Sequence, residues 1–254
     1  SLDLKLNLDH HEFIFSNMVK SSNIGTARLA AKIGAERQKE FLRRLGLLDL
    51  TGIELPEASR AKPQFPKRWS KLSTATVSYG HGISVSPLHI AVAYSTIVNG
   101  GKKVFPTLVK NSEKNINPIA IISTETSMKL QNILKKVVES GTARNAALDD
   151  YSIGGKTGTA DKVDFNKSGY HEDKVITTFV ATFPMERPRY VLVVTLDEPE
   201  DWSIDKPMRT AGWTAVPVAT EIIQRIAPVL GIEPNSMVDK IKVGTSLVDA
   251  KIER

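Results

Sequence analysis

Two short segments of the chain contain the side chains best suited to chemistry. Residues 154–160 read Gly-Gly-Lys-Thr-Gly-Thr-Ala, so a cation and two hydroxyls alternate with small residues. Ser21-Ser22-Asn23 lies far upstream and adds two more hydroxyls and an amide. These residue types suit phosphate binding by a glycine-rich loop, or acyl transfer assisted by hydroxyls and a nearby cation.

Phosphate binding is tested by the glycine spacing. The phosphate-binding loop reads Gly-x-x-x-x-Gly-Lys-Ser/Thr, which would require a glycine at position 150. That residue is Asp150, whose carboxylate would repel a phosphate. The residues after Lys156 also favour a strand, whereas the phosphate loop is followed by a helix. The sequence therefore disfavours nucleotide binding.

A structural role for Lys156 is the second alternative. Lysine on an edge strand is a common device against aggregation, and Lys-Thr-Gly alone is a weak signal. The Ser-x-Asn segment upstream weakens this interpretation, because the two segments together match a known pair of catalytic motifs.

Composition limits the partners and cofactors. The chain has 254 residues, a formal charge of +6 and no cysteine, which excludes disulfides, thiol catalysis and zinc–thiolate sites. Five scattered histidines show no metal-binding spacing, and we expect surface or packing roles for them. The basic residues are scattered, which favours a solvated basic surface over nucleic-acid binding. An anionic cell-wall polymer or membrane headgroups remain possible partners.

Apolar periodicity and turn residues predict the elements that position these segments. The sequence predicts helices over residues 24–34, 35–48, 86–101, 123–141 and 214–229, with Ser86 as an N-cap. It predicts strands over residues 104–109, 153–160, 175–183 and 190–196. The last is a near-continuous apolar run, so we expect it to be central and covered on both faces. A proline-rich loop spans 51–69, and a polar connection spans 161–174.

Several further segments resemble one family. They are residues 22–28 (SNIGTAR), 79–88 (YGHGISVSPL), 93–101 (AYSTIVNGG) and 197–199 (DEP). Together with Ser-x-Asn and Lys-Thr-Gly, in that order, they resemble class B penicillin-binding proteins over residues 12–230. The strongest resemblance is to the division-specific, septal peptidoglycan D,D-transpeptidase of Gram-negative bacteria.

The resemblance implies an α+β transpeptidase fold of the penicillin-binding-protein and β-lactamase type. In that fold an antiparallel sheet flanked by helices packs against a helical lobe, and the active site lies between them. Lys-Thr-Gly would lie on an edge strand, and Ser-x-Asn on a loop between helices. Residues 1–230 would form a transpeptidase domain that is incomplete at its N-terminus, and residues 231–254 would form a tail.

The resemblance also assigns roles in catalysis. Ser21 would hydrogen-bond the nucleophilic pair and relay a proton toward the leaving amine, since a hydroxyl both donates and accepts. Lys156 would supply positive charge beside Ser21. Asn23 would hold a substrate amide.

Substrate binding is implied for the rest of the strand segment. Thr157 and Thr159 would bind the terminal carboxylate through their hydroxyls, and the Thr159 N–H would supply half of an oxyanion hole. Gly158 would allow the substrate to approach the strand closely.

The nucleophile of this family belongs to a Ser-x-x-Lys motif, which should precede Ser21. Ser59-Arg60-Ala61-Lys62 and Ser203-Ile204-Asp205-Lys206 match it literally, but each stands in the wrong order and directly before a proline, which disfavours a helix. We therefore expect the nucleophile to lie outside this chain, and the chain alone to be inactive. A non-catalytic scaffold or peptidoglycan-binding module is the main alternative, and a β-lactamase is a weaker one.

For the full-length parent, the resemblance implies stem peptides and β-lactams as ligands and division proteins as partners. It places that parent at the periplasmic face of the inner membrane. No cofactor or metal is expected. The longest apolar stretch, residues 190–194, is too short to span a bilayer, so a membrane anchor is expected only outside this chain. The chain opens with Ser1 and shows no signal peptide, which suggests a piece of a longer protein.

Overall fold

A three-stranded antiparallel sheet and a group of helices make up the computed structural model, which describes residues 10–110, 117–164, 169–202 and 207–235. Among these residues the helices are α1 His10–Val19, α2 Asn23–Ile33, α3 Ala35–Arg44, α4 Lys71–Ser78, α5 Pro87–Val98, α6 Thr124–Ser140 and α7 Ala215–Ile226. The strands are β1 Gly154–Val163, β2 Tyr170–Phe183 and β3 Tyr190–Asp197. Short 3-10 helices span Pro56–Arg60 and Arg144–Ala146. The predicted α+β class is confirmed.

The strands pair in the order β1-β2-β3. The register between β1 and β2 sets Lys156 opposite Val180 and Thr159 opposite Thr177. β1, which contains Lys-Thr-Gly, is thus an edge strand of the described sheet, as the family resemblance implied.

The prediction for β3 is wrong in one respect. Its apolar run forms a strand, but the strand lies at the other edge of the described sheet rather than at its centre. The middle strand is β2, in which every residue from Phe179 to Phe183 is buried, so both of its faces are covered there.

Two helices pack on the sheet and form the main core with it. α6 contacts β1, and α7 contacts β2 and β3. The fully buried residues of this core include Val137 of α6, Phe179 of β2 and Val216 and Ile223 of α7. The sequence predicted both helices. Pro217 lies in the first turn of α7, where proline is tolerated.

The remaining helices form the helical part, in which serine caps mark where helices begin. The Oγ atoms of Ser22, Ser70 and Ser86 accept backbone N–H groups at the starts of α2, α4 and α5. α3 is joined to α4 through Gln38, whose Nε2 donates to the Thr74 carbonyl at 3.0 Å.

The structure also differs from the predictions at residues 104–109 and 161–174. Residues 104–109 do not form a strand, because Pro106 lacks a donor and Glu54 accepts bonds from the Thr107 hydroxyl (2.7 Å) and the Leu108 N–H (3.0 Å). The polar connection predicted at 161–174 is shorter, since β1 continues to Val163 and β2 begins at Tyr170. Of the predicted tail at 231–254, residues 236–254 lie outside the described part. Among all residues that the structure describes, every helix is too short or too polar to cross a bilayer.

Candidate active site

A cleft of about 990 Å³ runs between β1 and the helical part. All six residues predicted from the motifs line it: Ser21, Asn23, Lys156, Thr157, Gly158 and Thr159. The other walls come from the ends of α1, α4 and α6 and from the segment before α7. The fold therefore brings together two motifs that are far apart in the sequence.

The closest contact across the cleft joins the two motifs. Lys156 Nζ donates a hydrogen bond of 2.7 Å to Ser21 Oγ and a second, of 3.0 Å, to the Thr157 carbonyl. The ammonium of Lys156 is thus oriented toward the Ser21 hydroxyl from the opposite wall.

The turn between α1 and α2 positions Ser21. Its N–H donates to the Met18 carbonyl at 3.3 Å, and its φ is +53°, a left-handed value that is uncommon outside glycine. Ser22 follows as the N-cap of α2, with its Oγ accepting from the Gly25 N–H at 3.2 Å. A non-glycine residue held in this conformation at a cleft wall is typical of a functional site.

A close contact between α1 and α2 supports this turn. A Cβ on Gly25 would lie 1.7 Å from Asn17 Oδ1, so only glycine fits beside that side chain. Asn17 is buried, and its Nδ2 donates to Thr26 Oγ1 at 3.1 Å. Gly25 therefore lets α2 approach α1 closely enough to fix the intervening Ser21.

The electrostatic state of Lys156 differs from that of a surface lysine. Burial removes water from its amine and lowers its pKa to about 8. At neutral pH the amine is still mostly protonated and can donate to Ser21. A small rise in pH releases the proton, so the residue can also take part in proton transfer.

The hydroxyls of β1 have fixed partners on the cleft wall. Thr157 Oγ1 and Thr142 Oγ1 lie 2.7 Å apart, and Thr159 Oγ1 accepts the Ala211 N–H at 3.0 Å. A hydroxyl that accepts one bond keeps its own proton for a ligand. The wall thus orients Thr159 as a donor into the cleft.

Gly155 and Gly158 of β1 are glycines for different structural reasons. A Cβ on Gly155 would lie 2.5 Å from the Val180 carbonyl, so packing requires glycine there. A Cβ on Gly158 would meet only the Thr178 carbonyl, at 3.9 Å. Packing does not require glycine at 158, and its small size leaves space on the cleft side instead.

Sequence reasoning missed several cleft residues. Thr142 and Ala211 were not singled out, although they position both threonines of β1. His81 was expected to have a surface or packing role, yet it lines the cleft with its ring centroid 4.7 Å from that of Tyr170 at the start of β2. The Gly-rich turn around His81 was the available signal.

Of the two literal Ser-x-x-Lys matches, the one that the structure describes, Ser59–Lys62, does not contribute to the cleft. Ser59 lies in a 3-10 helix outside the cleft lining and donates its hydroxyl to the Pro56 carbonyl at 2.7 Å. Residues 203–206 lie outside the described part. Within that part, no group of three or more acidic or histidine side chains is arranged to hold a metal ion.

Comparison with known proteins identifies the family. A family model described as the penicillin-binding protein transpeptidase domain matches residues 11–224. The chain belongs to the penicillin-binding protein transpeptidase family. This confirms the resemblance seen in the motifs.

Named relatives agree with this assignment. A probable peptidoglycan D,D-transpeptidase FtsI of Caulobacter vibrioides is 36% identical over 222 residues, which are 84% of this chain and 37% of the relative. Stage V sporulation protein D of Bacillus subtilis is 33% identical, over 84% of this chain and 34% of its own length. The chain thus spans about a third of the length of these curated relatives.

Solved structures share the fold. Penicillin-binding protein 3 of Mycobacterium tuberculosis, complexed with aztreonam, matches with a TM-score of 0.77 and 28% identity, over 87% of this chain and 52% of that one. The transpeptidase domain of Burkholderia pseudomallei penicillin-binding protein 3 matches with a TM-score of 0.74 and 30% identity, over 87% and 66% of the two chains. The fold predicted from the motifs, that of a penicillin-binding-protein transpeptidase, is confirmed.

Proposed function

We propose that this chain forms the substrate-binding part of a peptidoglycan D,D-transpeptidase that acts in cell division. The observation that supports this most is the 2.7 Å bond from Lys156 Nζ to Ser21 Oγ, made across a cleft beside the hydroxyls of Thr157 and Thr159. A cation, a relay hydroxyl and carboxylate donors are the groups that acyl transfer from a D-Ala-D-Ala peptide requires.

The proposed reaction has two steps. A serine hydroxyl attacks the carbonyl carbon between the two D-alanines, the C–N bond breaks, and D-alanine leaves with a proton. An amine of a neighbouring stem peptide then attacks the ester, forms the new amide and returns the proton to the serine. Both tetrahedral intermediates carry a negative oxygen that N–H donors must stabilise.

In this reaction Lys156 and Ser21 act on the departing D-alanine. Ser21 relays the proton, and the charge of Lys156 favours its transfer away from the nucleophile. Asn23 holds a substrate amide at the start of α2. Thr157 and Thr159 bind the terminal carboxylate, since Thr159 keeps its proton for a ligand while it accepts the Ala211 N–H. Gly158 leaves room for the peptide beside β1.

The nucleophile is proposed to lie outside these residues, with residues 1–230 as the transpeptidase part and 231–254 as a tail. The 254-residue chain alone then forms no covalent adduct with a penicillin. We further propose that the full-length parent acts at the periplasmic face of the inner membrane with division proteins as partners, as the resemblance of its motifs to division-specific transpeptidases implies.

Labelling with a fluorescent penicillin tests the proposal. We expect the full-length parent to be labelled, and the isolated 254-residue chain not to be. In the parent, Lys156→Ala and Ser21→Ala should each slow acylation at least tenfold, whereas Ser59→Ala, outside the cleft, should leave it unchanged. A parent that folds but is never labelled would instead favour a non-catalytic scaffold, and an adduct on the isolated chain would contradict the predicted position of the nucleophile.

A further inference from the structure

A second concave surface lies next to the cleft, between α2 and α4. This α2–α4 groove has a volume of about 470 Å³. It is lined by Asn23, Ile24, Ala27, Arg28, Ala31, Leu72, Ala75, Thr76 and Tyr79. The alanines make a shallow floor, and larger apolar side chains stand beside it.

The apolar side chains of the groove are unusually exposed. Ile24 of α2 is 70% exposed and Leu72 of α4 is 74% exposed. Single exposed apolar residues are ordinary, but two that face one groove with small residues between them form a patch that a partner can cover. The described part of the chain leaves most of the apolar surface of these two side chains exposed.

The charge that α2 and α4 bring to the groove has one sign. Residues 13–35 and 58–112, which include α2 and α4, contain no aspartate or glutamate. Arg28 lines the groove, Lys32 lies one turn further along α2, and Lys71 precedes Leu72. Within the described residues none of these three cations forms an ion pair.

We propose that the α2–α4 groove binds an acidic amphipathic helical segment of a partner protein. An apolar stripe of such a helix fits between two helices, against Ile24, Leu72 and the alanine floor. Its carboxylates then meet the unpaired cations at the rim, and this complementarity sets orientation and association rate. A second copy of the chain is a poor occupant, because two such basic faces repel each other.

The groove shares a wall with the active-site cleft. Asn23 and Tyr79 line both surfaces. A segment bound in the groove therefore contacts the residue that ends the Ser-x-Asn motif. This interaction lies beyond the proposed acyl transfer, and binding measurements test it without any need for catalysis.

The test uses a fluorescein-labelled 18-residue peptide with leucines at helical i, i+3, i+4, i+7 spacing and glutamates at most other positions. Fluorescence anisotropy with the 254-residue chain should give saturable binding. We expect Leu72→Ser and Arg28→Glu each to raise the Kd at least tenfold. Val229→Ser and Arg187→Glu are matched controls on exposed residues outside the groove, and they should leave the Kd unchanged.

Circular dichroism and thermal unfolding of each variant separate lost binding from lost folding. The proposal is overturned if the acidic peptide does not bind, or if a peptide with lysines in place of the glutamates binds equally well. It is also overturned if anionic vesicles of phosphatidylglycerol bind with the same sensitivity to Leu72 and Arg28. Self-association of the chain that Leu72→Ser abolishes would instead assign the groove to a second copy.

Discussion

At the scale of single residues, Lys156 combines a desolvated amine with two oxygen partners. Burial lowers its pKa to about 8, whereas the bonds to Ser21 and to the Thr157 carbonyl favour the charged form. As a result, the amine is charged at neutral pH but loses its proton after a small rise in pH.

The first prediction concerns this titration. In the 254-residue chain, the Cε resonance of Lys156 should titrate with a midpoint near pH 8, as followed by ¹³C NMR. Ser21→Ala removes an acceptor of the charged amine, so the midpoint should fall further. Lys156→Arg assigns the resonance by removing it. A midpoint at the ordinary lysine value would show that the amine is solvated.

The second prediction concerns Thr142, which orients the hydroxyl of Thr157 through a 2.7 Å contact. Thr142→Val keeps the shape but removes the hydroxyl. One hydrogen bond contributes about 1 kcal/mol, so the rate constant for acylation of the full-length parent by a penicillin should fall by about fivefold. Thr142→Ser restores the hydroxyl and should restore the rate. Equal loss in both variants would mean that packing, not the hydroxyl, matters.

The position of the six motif residues in one cleft could be predicted from the sequence, because each occupies a fixed place in a short pattern. Thr142 and Ala211 could not, because no local pattern links them to β1. They reach it through tertiary contacts such as the bond of 2.9 Å from Asn145 Nδ2 to the Gly212 carbonyl. Such contacts leave no periodic trace in the sequence.

At the scale of elements, the junction of α1 and α2 determines where Ser21 lies. Gly25 is the third residue of α2, a position where alanine would normally stabilise a helix by about 1 kcal/mol. Here the added Cβ would collide with Asn17. Propensity and packing thus give opposite signs for the same substitution.

We expect packing to decide the third prediction. Gly25→Ala should destabilise the chain by about 1–3 kcal/mol in urea unfolding, since overpacking displaces a buried side chain. In an Asn17→Ala background the collision disappears, and the same substitution should be neutral or stabilising. If Gly25→Ala stabilises the wild-type chain, α1 and α2 are not in close contact.

The success of the element predictions followed the strength of local signals. α5 and α6 begin with a serine cap and contain a clear apolar pattern, and both lie where the sequence predicted. The strand expected at 104–109 does not form, because Glu54, distant in sequence, accepts bonds from the Thr107 hydroxyl and the Leu108 N–H. The apolar run of β3 was misassigned to the sheet centre. α5 and α7 contact β3, and a strand covered by helices has the same apolar composition as a central strand.

At the scale of the whole molecule, Lys156 links the candidate active site to folding. Its folded pKa of about 8 lies below the value of about 10.5 expected for the unfolded chain. Between these values the unfolded state binds more protons, so the contribution of Lys156 to the free energy of unfolding rises with pH. Below pH 8 its charged, desolvated amine costs stability.

The fourth prediction follows from this sign. Lys156→Met should raise the free energy of unfolding at pH 7, on the order of 1–2 kcal/mol after allowance for partial solvent access. The difference from wild type should shrink as the pH approaches 10.5. Lys162, whose pKa is raised by its hydrogen bonds with Glu198 and Asp197, titrates in both proteins and cancels in the difference. A pH-independent difference would contradict the linkage.

The outer edge of β3 has a consequence for the behaviour of the chain in solution. Among the described residues no strand covers this edge, and Tyr190–Asp197 contains neither proline nor lysine to block pairing. Amides and carbonyls along a strand edge without such a neighbour are a template for intermolecular sheet growth. We expect the isolated chain to form larger particles as its concentration rises, as measured by light scattering, and Val193→Lys to suppress them. Colloidal stability would then depend on one backbone edge rather than on the net charge of +6.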